Sequence, residues 1–465
     1  MKAAAGSFRD RSGRVYQDND KIIRSINDTY LEEWKYIVST GLFNTLIADE
    51  LVVNFKEIPA PVQNSVLGLE VHKIPFISYP YEWSFSQLKD AALLTLKLQL
   101  IALEHDLVLK DASAYNVQFE GSKPCFIDLL SFEKRQENSP WYAYRQFCMH
   151  FLAPLALNRY LGLWTNKFSK LRTDGILLSE AVAVLPWKCR FNLGLALHLY
   201  AHAKIEQSNT DARKASEKVK KIKISKKNSI DLANSLLRLV ESISLPNVHT
   251  QWGDYYNDTN YDDEAFKYKK HIVSKVARQC GSHVEMAMDL GANNGEFSAL
   301  LAPHFQYVLA PDVDPLAVEQ HYNILKEKKL STIFPFILDL SNPSPALGFA
   351  NKERDSFSSR CKVKFISALA LIHHIALTEG IPFAEFAPYL ADLLKERGQL
   401  LLEFVPLEDS QVKRLTAARK DDISWYTKEN LFHNFLEDFT LKEEFQIPNS
   451  QRSLLLFEKK DTLHE

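Results

Sequence analysis

The stretch MAMDLGANNGEFSALLA (286–302) carries Asp289-x-Gly291-x-Asn293-x-Gly295 where an apolar strand runs into a helix. A carboxylate at a strand end can accept hydrogen bonds from hydroxyls or face a cation. Gly291 and Gly295 permit positive φ and leave no Cβ where a ligand must approach the backbone. Asn293 is the next most tolerant residue type for a left-handed position. The following helix presents Phe297, Leu300 and Leu301 to a sheet, and its N-terminus offers unpaired N–H groups. Further along, Asp312 ends YVLAPDV, with Asp314 placed to be solvated, and Asp339 sits in ILDLSN with the apolar Leu340 beside it. His373 and His374 follow KFISALAL, and Glu403 ends a run of leucines; these three are the candidates for moving a proton. Upstream, Trp252, Tyr255, Tyr256 and Tyr261 either fold over a cavity mouth as a lid or pack on the sheet.

A dinucleotide would require G-x-G-x-x-G, with its pyrophosphate on the helix N-terminus. Here Gly291-Ala292-Asn293-Asn294-Gly295-Glu296 puts Asn at the second glycine and an acid at the third. The fingerprint fails at both positions.

A second constellation lies in the first half. LVLKDASAYNVQFEGSKPCFIDLLSF (107–132) sets Asp111 and Asn116 between apolar strands, and Asp128 follows twelve residues later. The plain reading is that Asp111 and Asn116 build a turn. Arg24, Lys56 and Lys73 are basic residues of the strand region that precedes it.

The elements that must position these residues divide the chain. From 284 onward, strands are predicted at VEMAMDL, YVLAPDV, IFPFILDL, KFISALAL, GQLLLEFV and SLLLFEK, with helices between the earlier ones. Such alternation predicts an α/β, mostly parallel sheet covered on both faces. The first half reads as a strand region over 14–80, a long helix at about 85–105 and a mostly helical stretch over 139–204. Residues 206–228 hold eight Lys/Arg against three acids and mark an exposed excursion. An amphipathic helix follows at 229–243 and ends before Pro246. The expected organisation is a first domain over 1–205, a basic linker and connecting helix over 206–249, and a second domain over 250–465.

With 465 residues, two or three domains are the prior. Fifty-six basic residues against 58 acidic ones predict no general attraction to nucleic acid or anionic membrane. The N-terminal residues lack a signal peptide's apolar core, and no apolar run reaches a membrane span. Five scattered cysteines without a CxxC pair fit a reduced, cytoplasmic setting, with neither disulfide framework nor zinc site.

The second half resembles the class I S-adenosylmethionine-dependent methyltransferases, whose first motif is an acid followed by glycines at alternate positions. The resemblance implies a Rossmann-like domain with a mostly parallel seven-stranded sheet. It also implies S-adenosylmethionine as cofactor, held by Asp289, Gly291, Asn293 and Gly295, with Asp312 on the ribose hydroxyls. Asp339 and Leu340 would meet the adenine. No metal is implied there, and no motif identifies the methyl acceptor, whether small molecule, glycan or protein. The first half resembles protein kinases and aminoglycoside-type phosphotransferases, implying an α+β, helix-rich domain. There Asp111 would orient the hydroxyl, while Asn116 and Asp128 would hold Mg²⁺ on ATP. Lys110 and Leu109 depart from that pattern, which favours a scaffold or substrate-recognition role over phosphoryl transfer. The whole organisation resembles bacterial methyltransferases linked to nodulation or surface-glycan genes. The alternatives are an Mg-ATP-dependent phosphotransferase, alone or in a bifunctional enzyme, and a non-catalytic binding protein.

Overall fold

The computed structural model describes residues 1–208, 224–245, 263–281, 283, 285–419 and 421–461. Most of the basic run, Pro246 and the proposed lid residues Trp252, Tyr255, Tyr256 and Tyr261 lie outside the described residues. The chain divides into two compact units, Met1–Val248 with Leu347–Arg354, and His249–Ala346 with Asp355–Glu465.

In the first unit, β1 (Lys2–Ala3), β2 (Val15–Asp18), β3 (Lys21–Ile26), β4 (Phe55–Pro59) and β5 (Leu67–Val71) form an antiparallel sheet ordered β1-β2-β3-β5-β4. Helices Asp28–Ser39 and Leu42–Ala48 interrupt it, parted by Gly41 at φ 76°. Trp34 and Phe43 from these helices bury their rings against Phe55. Helix Phe85–Glu104 begins at Ser84, whose hydroxyl accepts from Gln87 N–H while the Gln87 amide accepts from Ser84 N–H. That reciprocal cap satisfies two helix-end donors. Two short ribbons follow, β6 (Leu107–Leu109) with β9 (Phe132–Lys134) and β7 (Val117–Glu120) with β8 (Lys123–Phe126). Asp111, Asn116 and Asp128 sit on their connections. Helix Lys226–Ser242 is no loose connector. Its stripe of Ala233, Leu236, Leu239 and Val240 is buried, and the Lys89 ammonium donates to the Glu241 and Ile243 carbonyls at its end.

In the second unit, β10 (Met286–Leu290), β11 (Tyr307–Asp312), β12 (Ile333–Ile337), β13 (Val363–Ala368), β14 (Leu394–Phe404), β15 (Phe439–Gln446) and β16 (Ser453–Lys459) make one sheet. Its order is β12-β11-β10-β13-β14-β16-β15, and only β16 runs against the others. The mostly parallel seven-stranded sheet is therefore present. Its central strands carry almost unbroken apolar runs because both faces are covered. Helix Asp263–Cys280 supplies part of that cover through Ile272, Val273, Val276 and Ala277, packed with Ala287, Val308 and Phe365. The strand order reverses between β10 and β13, which opens a crevice at the strand ends.

Candidate functional site

A cavity of about 440 Å³ lies at that reversal. Asp289, Leu290, Gly291, Asn293, Pro311, Asp312, Leu338, Asp339, Leu340 and His374 line it, together with Lys269, Phe266 and Phe297. The topology explains the meeting: the ends of β10, β11 and β12 and the segment after β13 converge on one edge of the sheet.

The turn after β10 takes the backbone expected of it, with Gly291 at φ 71°, Asn293 at φ 49° and Gly295 at φ 87°. Its N–H groups, however, are not left open. Gly291 and Ala292 both donate to the Pro311 carbonyl, Asn293 to Asp312 Oδ2, Asn294 to Asn293 Oδ1 and Gly295 to the Ala292 carbonyl. Backbone donors need partners, and here three of the five go to β11 and two stay within the turn. The helix after it is a single turn, Ser298–Leu301. Gly295 does not line the cavity. A Cβ there would lie 2.1 Å from His321 Nε2, so the glycine makes room for a buried imidazole.

Two carboxylates carry the polarity of the site. Burial pushes Asp289 up to about 6, tempered by the Ser298 hydroxyl, which donates to Oδ2 at 2.7 Å, and by Ser367 and Lys269. Burial likewise pushes Asp312 up to about 6, although Asp314 N–H and Asn293 N–H each donate to it at 2.8 Å. Asp314 itself is buried rather than solvated; its carboxylate caps helix Pro315–Lys328 by accepting from Leu316 N–H. Asp339 accepts from the Ser341 N–H and hydroxyl, which turns the chain after β12. Val313, Leu338 and Leu340 give this end of the cavity an apolar wall.

The three proton-transfer candidates separate. His374 lines the cavity, and burial with the nearby Arg452 cation lowers its pKa to about 4, leaving the ring neutral at neutral pH. His373 is buried beside it, ring centroids 4.1 Å apart, and is not among the lining residues. Glu403 is wholly buried behind the cavity, 2.6 Å from Lys269 Nζ and 3.5 Å from Arg452, whose guanidinium also meets Asp409 at 2.7 Å. Glu403 does not line the cavity and lies between two cations, so it is a counter-ion here.

Its partner Lys269 was missed by sequence reasoning. This residue looks like one more helical lysine in KYKKH, yet its side chain is only 3% exposed and lies 4.8 Å from the Phe297 ring. Burial lowers its pKa, and Glu403 opposes that shift. Periodicity could have flagged it, since it falls on the stripe of Ala265, Ile272 and Val276. Ala370 was missed as well; it lines the cavity at φ 49°, a costly conformation for a residue with a Cβ.

The constellation in the first unit has a different character. Arg24 of β3 lies 3.0 Å from Asp128 Oδ1 and pairs with Asp10, whereas Lys56 is exposed and Lys73 meets Asp20. The Ser131 hydroxyl donates to Asp128 Oδ2, and Asn116 Nδ2 donates to that hydroxyl oxygen at 3.4 Å. Asp111 accepts from Ser113 N–H, and burial raises its pKa. A guanidinium thus fills the place a divalent cation would take, and the residues do not fit Mg²⁺. Among the described residues, no group of three or more His, Cys, Asp or Glu is arranged to hold a metal.

No protein-family model matches the chain. Among solved structures, the N-methyltransferase NodS from Bradyrhizobium japonicum WM9 is similar at 16% identity, covering 43% of this chain and 99% of that one, with a TM-score of 0.32. Magnesium protoporphyrin IX methyltransferase from Synechocystis PCC 6803, with bound S-adenosyl-homocysteine, is similar at 17% identity, covering 45% and 93%, with a TM-score of 0.32. The nodulation protein NoeA of Rhizobium meliloti (strain 1021) is 31% identical over 98% of this chain and 96% of its own length. By that full-length likeness, the chain belongs to the family of nodulation protein NoeA.

Proposed function

We propose that the second unit is an S-adenosylmethionine-dependent methyltransferase. The observation that carries this reading is the buried Asp312 carboxylate at the rim of a 440 Å³ cavity at the sheet's reversal. An apolar wall for a base lies on one side of it, and Asp289 and Lys269 lie on the other. In this assignment Asp312 accepts from ribose hydroxyls, and Val313, Leu338 and Leu340 flank the adenine. Asp289 faces the amino group of the methionine end, and Lys269 supplies the positive charge for its carboxylate. The donor brings an electrophilic methyl on a sulfonium. Gly291, Asn293 and Ala370 shape the cavity so that an acceptor can approach in line. His374, neutral and at the cavity wall, takes the proton an acceptor hydroxyl or ammonium must lose. On this reading the reaction serves nodulation, as the name of the full-length relative says of that protein.

For the first unit, the antiparallel sheet bearing Arg24, the long helix and the Asp111–Asn116 turn before Asp128 support a kinase-like build that serves as scaffold or substrate recognition. The Arg24–Asp128 pair argues against Mg-ATP-dependent transfer. Isothermal titration separates the readings. S-adenosylmethionine should bind and Mg-ATP should not; binding of Mg-ATP alone would overturn both assignments.

A further inference from the structure

The first unit exposes an unusual surface over 184–197. Val184 is 53% exposed, Trp187 65%, Phe191 75%, Leu193 87% and Leu197 54%. The Trp187 and Phe191 rings touch edge to face at 5.6 Å, and Leu193 and Leu197 are one helical turn apart. Together these side chains offer on the order of 600 Å² of apolar area, at the upper end of what a monomer shows in one patch. Lys188 and Arg190 stand exposed among them, and no acidic residue occurs between Glu180 and Glu206. Glu180 is itself paired with Arg172 at 2.8 Å.

We propose that this surface docks on an anionic lipid bilayer, lying in its interface without crossing it. Charge decides between a bilayer and a protein partner. A segment that mixes exposed Trp and Phe with cations and has no acidic residue between Glu180 and Glu206 is complementary to headgroup phosphates above acyl chains. The interfacial depth suits indole and phenyl rings, while Lys188 and Arg190 extend their charged ends to the headgroups. The near-zero net charge of the whole chain conceals this local asymmetry. Among the described residues, no helix is long and apolar enough to span a membrane, so the attachment is peripheral.

The test is co-sedimentation of the full-length protein with phosphatidylcholine vesicles, with and without phosphatidylserine. The protein should pellet with the anionic vesicles and be released by salt. The W187A/F191A/L193A variant and, separately, K188E/R190E should each weaken partitioning at least about tenfold. Both variants should retain the wild-type melting temperature, and the charge-reversal pair keeps the test decisive if the apolar triple fails to fold. Three outcomes overturn the proposal: a wild-type protein that stays in the supernatant, partitioning that neither variant changes, or a dimer in gel filtration that W187A/F191A/L193A dissolves. None of them bears on the methyltransferase assignment.

Discussion

Replacing Asp312 by Asn changes one oxygen for an NH₂ at nearly constant volume and separates two effects. Asp312 is buried, and its carboxyl sits at about 6 against an ordinary 3.8. Two pKa units at about 1.4 kcal/mol each mean that the charge costs the folded protein about 3 kcal/mol at pH 7. Asn removes that cost. It also turns an NH₂ toward Asn293 N–H or Asp314 N–H, leaving one donor unsatisfied at about 1–3 kcal/mol. The terms oppose, so the free protein's stability should change by less than about 2 kcal/mol. Donor binding has no such compensation. The ribose hydroxyls lose a charged acceptor, worth about 2–4 kcal/mol, or an affinity about 30- to 700-fold weaker. Titration calorimetry with S-adenosylmethionine and S-adenosyl-homocysteine, alongside thermal melts, reads both numbers. A Kd within about threefold of wild type in a folded Asp312→Asn protein would refute the assignment of the ribose site.

Because the raised Asp312 pKa marks a carboxylate that must ionise to accept from the hydroxyls, donor affinity should fall about tenfold per pH unit below about 6, and Asp312→Asn should flatten that slope. The sign for the free protein is opposite. A carboxyl raised above its unfolded value makes stability fall as pH rises from about 4 through 6, which pH-dependent melts would detect. Gly295→Ala should cost several kcal/mol through its clash with His321, whereas Gly291→Ala, with only Leu371 at 3.5 Å, should cost about 1–2 kcal/mol of backbone strain; similar melting temperatures for the two would contradict this. Glu403→Leu should destabilise by about 3–5 kcal/mol by removing the carboxylate that faces the buried Lys269 charge, while Arg452 keeps Asp409; adding Lys269→Met should recover part of the loss in denaturant unfolding. His374→Ala should slow methyl transfer about 100-fold while leaving the donor Kd in calorimetry unchanged; an equal loss in His373→Ala would move the base to the buried ring.

The sequence by itself determined the local geometry of this protein and the order of its parts. Gly291, Asn293 and Gly295 are residue types that tolerate left-handed backbone, and all three adopt it. Apolar runs bounded by turn residues located six of the seven strands of the second sheet. The missed strand, β15, reads FTLKEEFQ: it lies at the sheet's edge, where most side chains face water and the apolar signal vanishes. Tertiary structure decided what each polar group is for. Spacing cannot show that the turn's amides are consumed by Pro311 and Asp312, that Gly295 yields to His321, or that the partner awaiting Lys269 on the apolar stripe is Glu403. The same holds for Arg24, more than a hundred residues from the Asp128 it neutralises. Backbone preference is local and survives in sequence. Electrostatic role depends on which charge burial places within a few ångströms, and only the folded chain sets that distance.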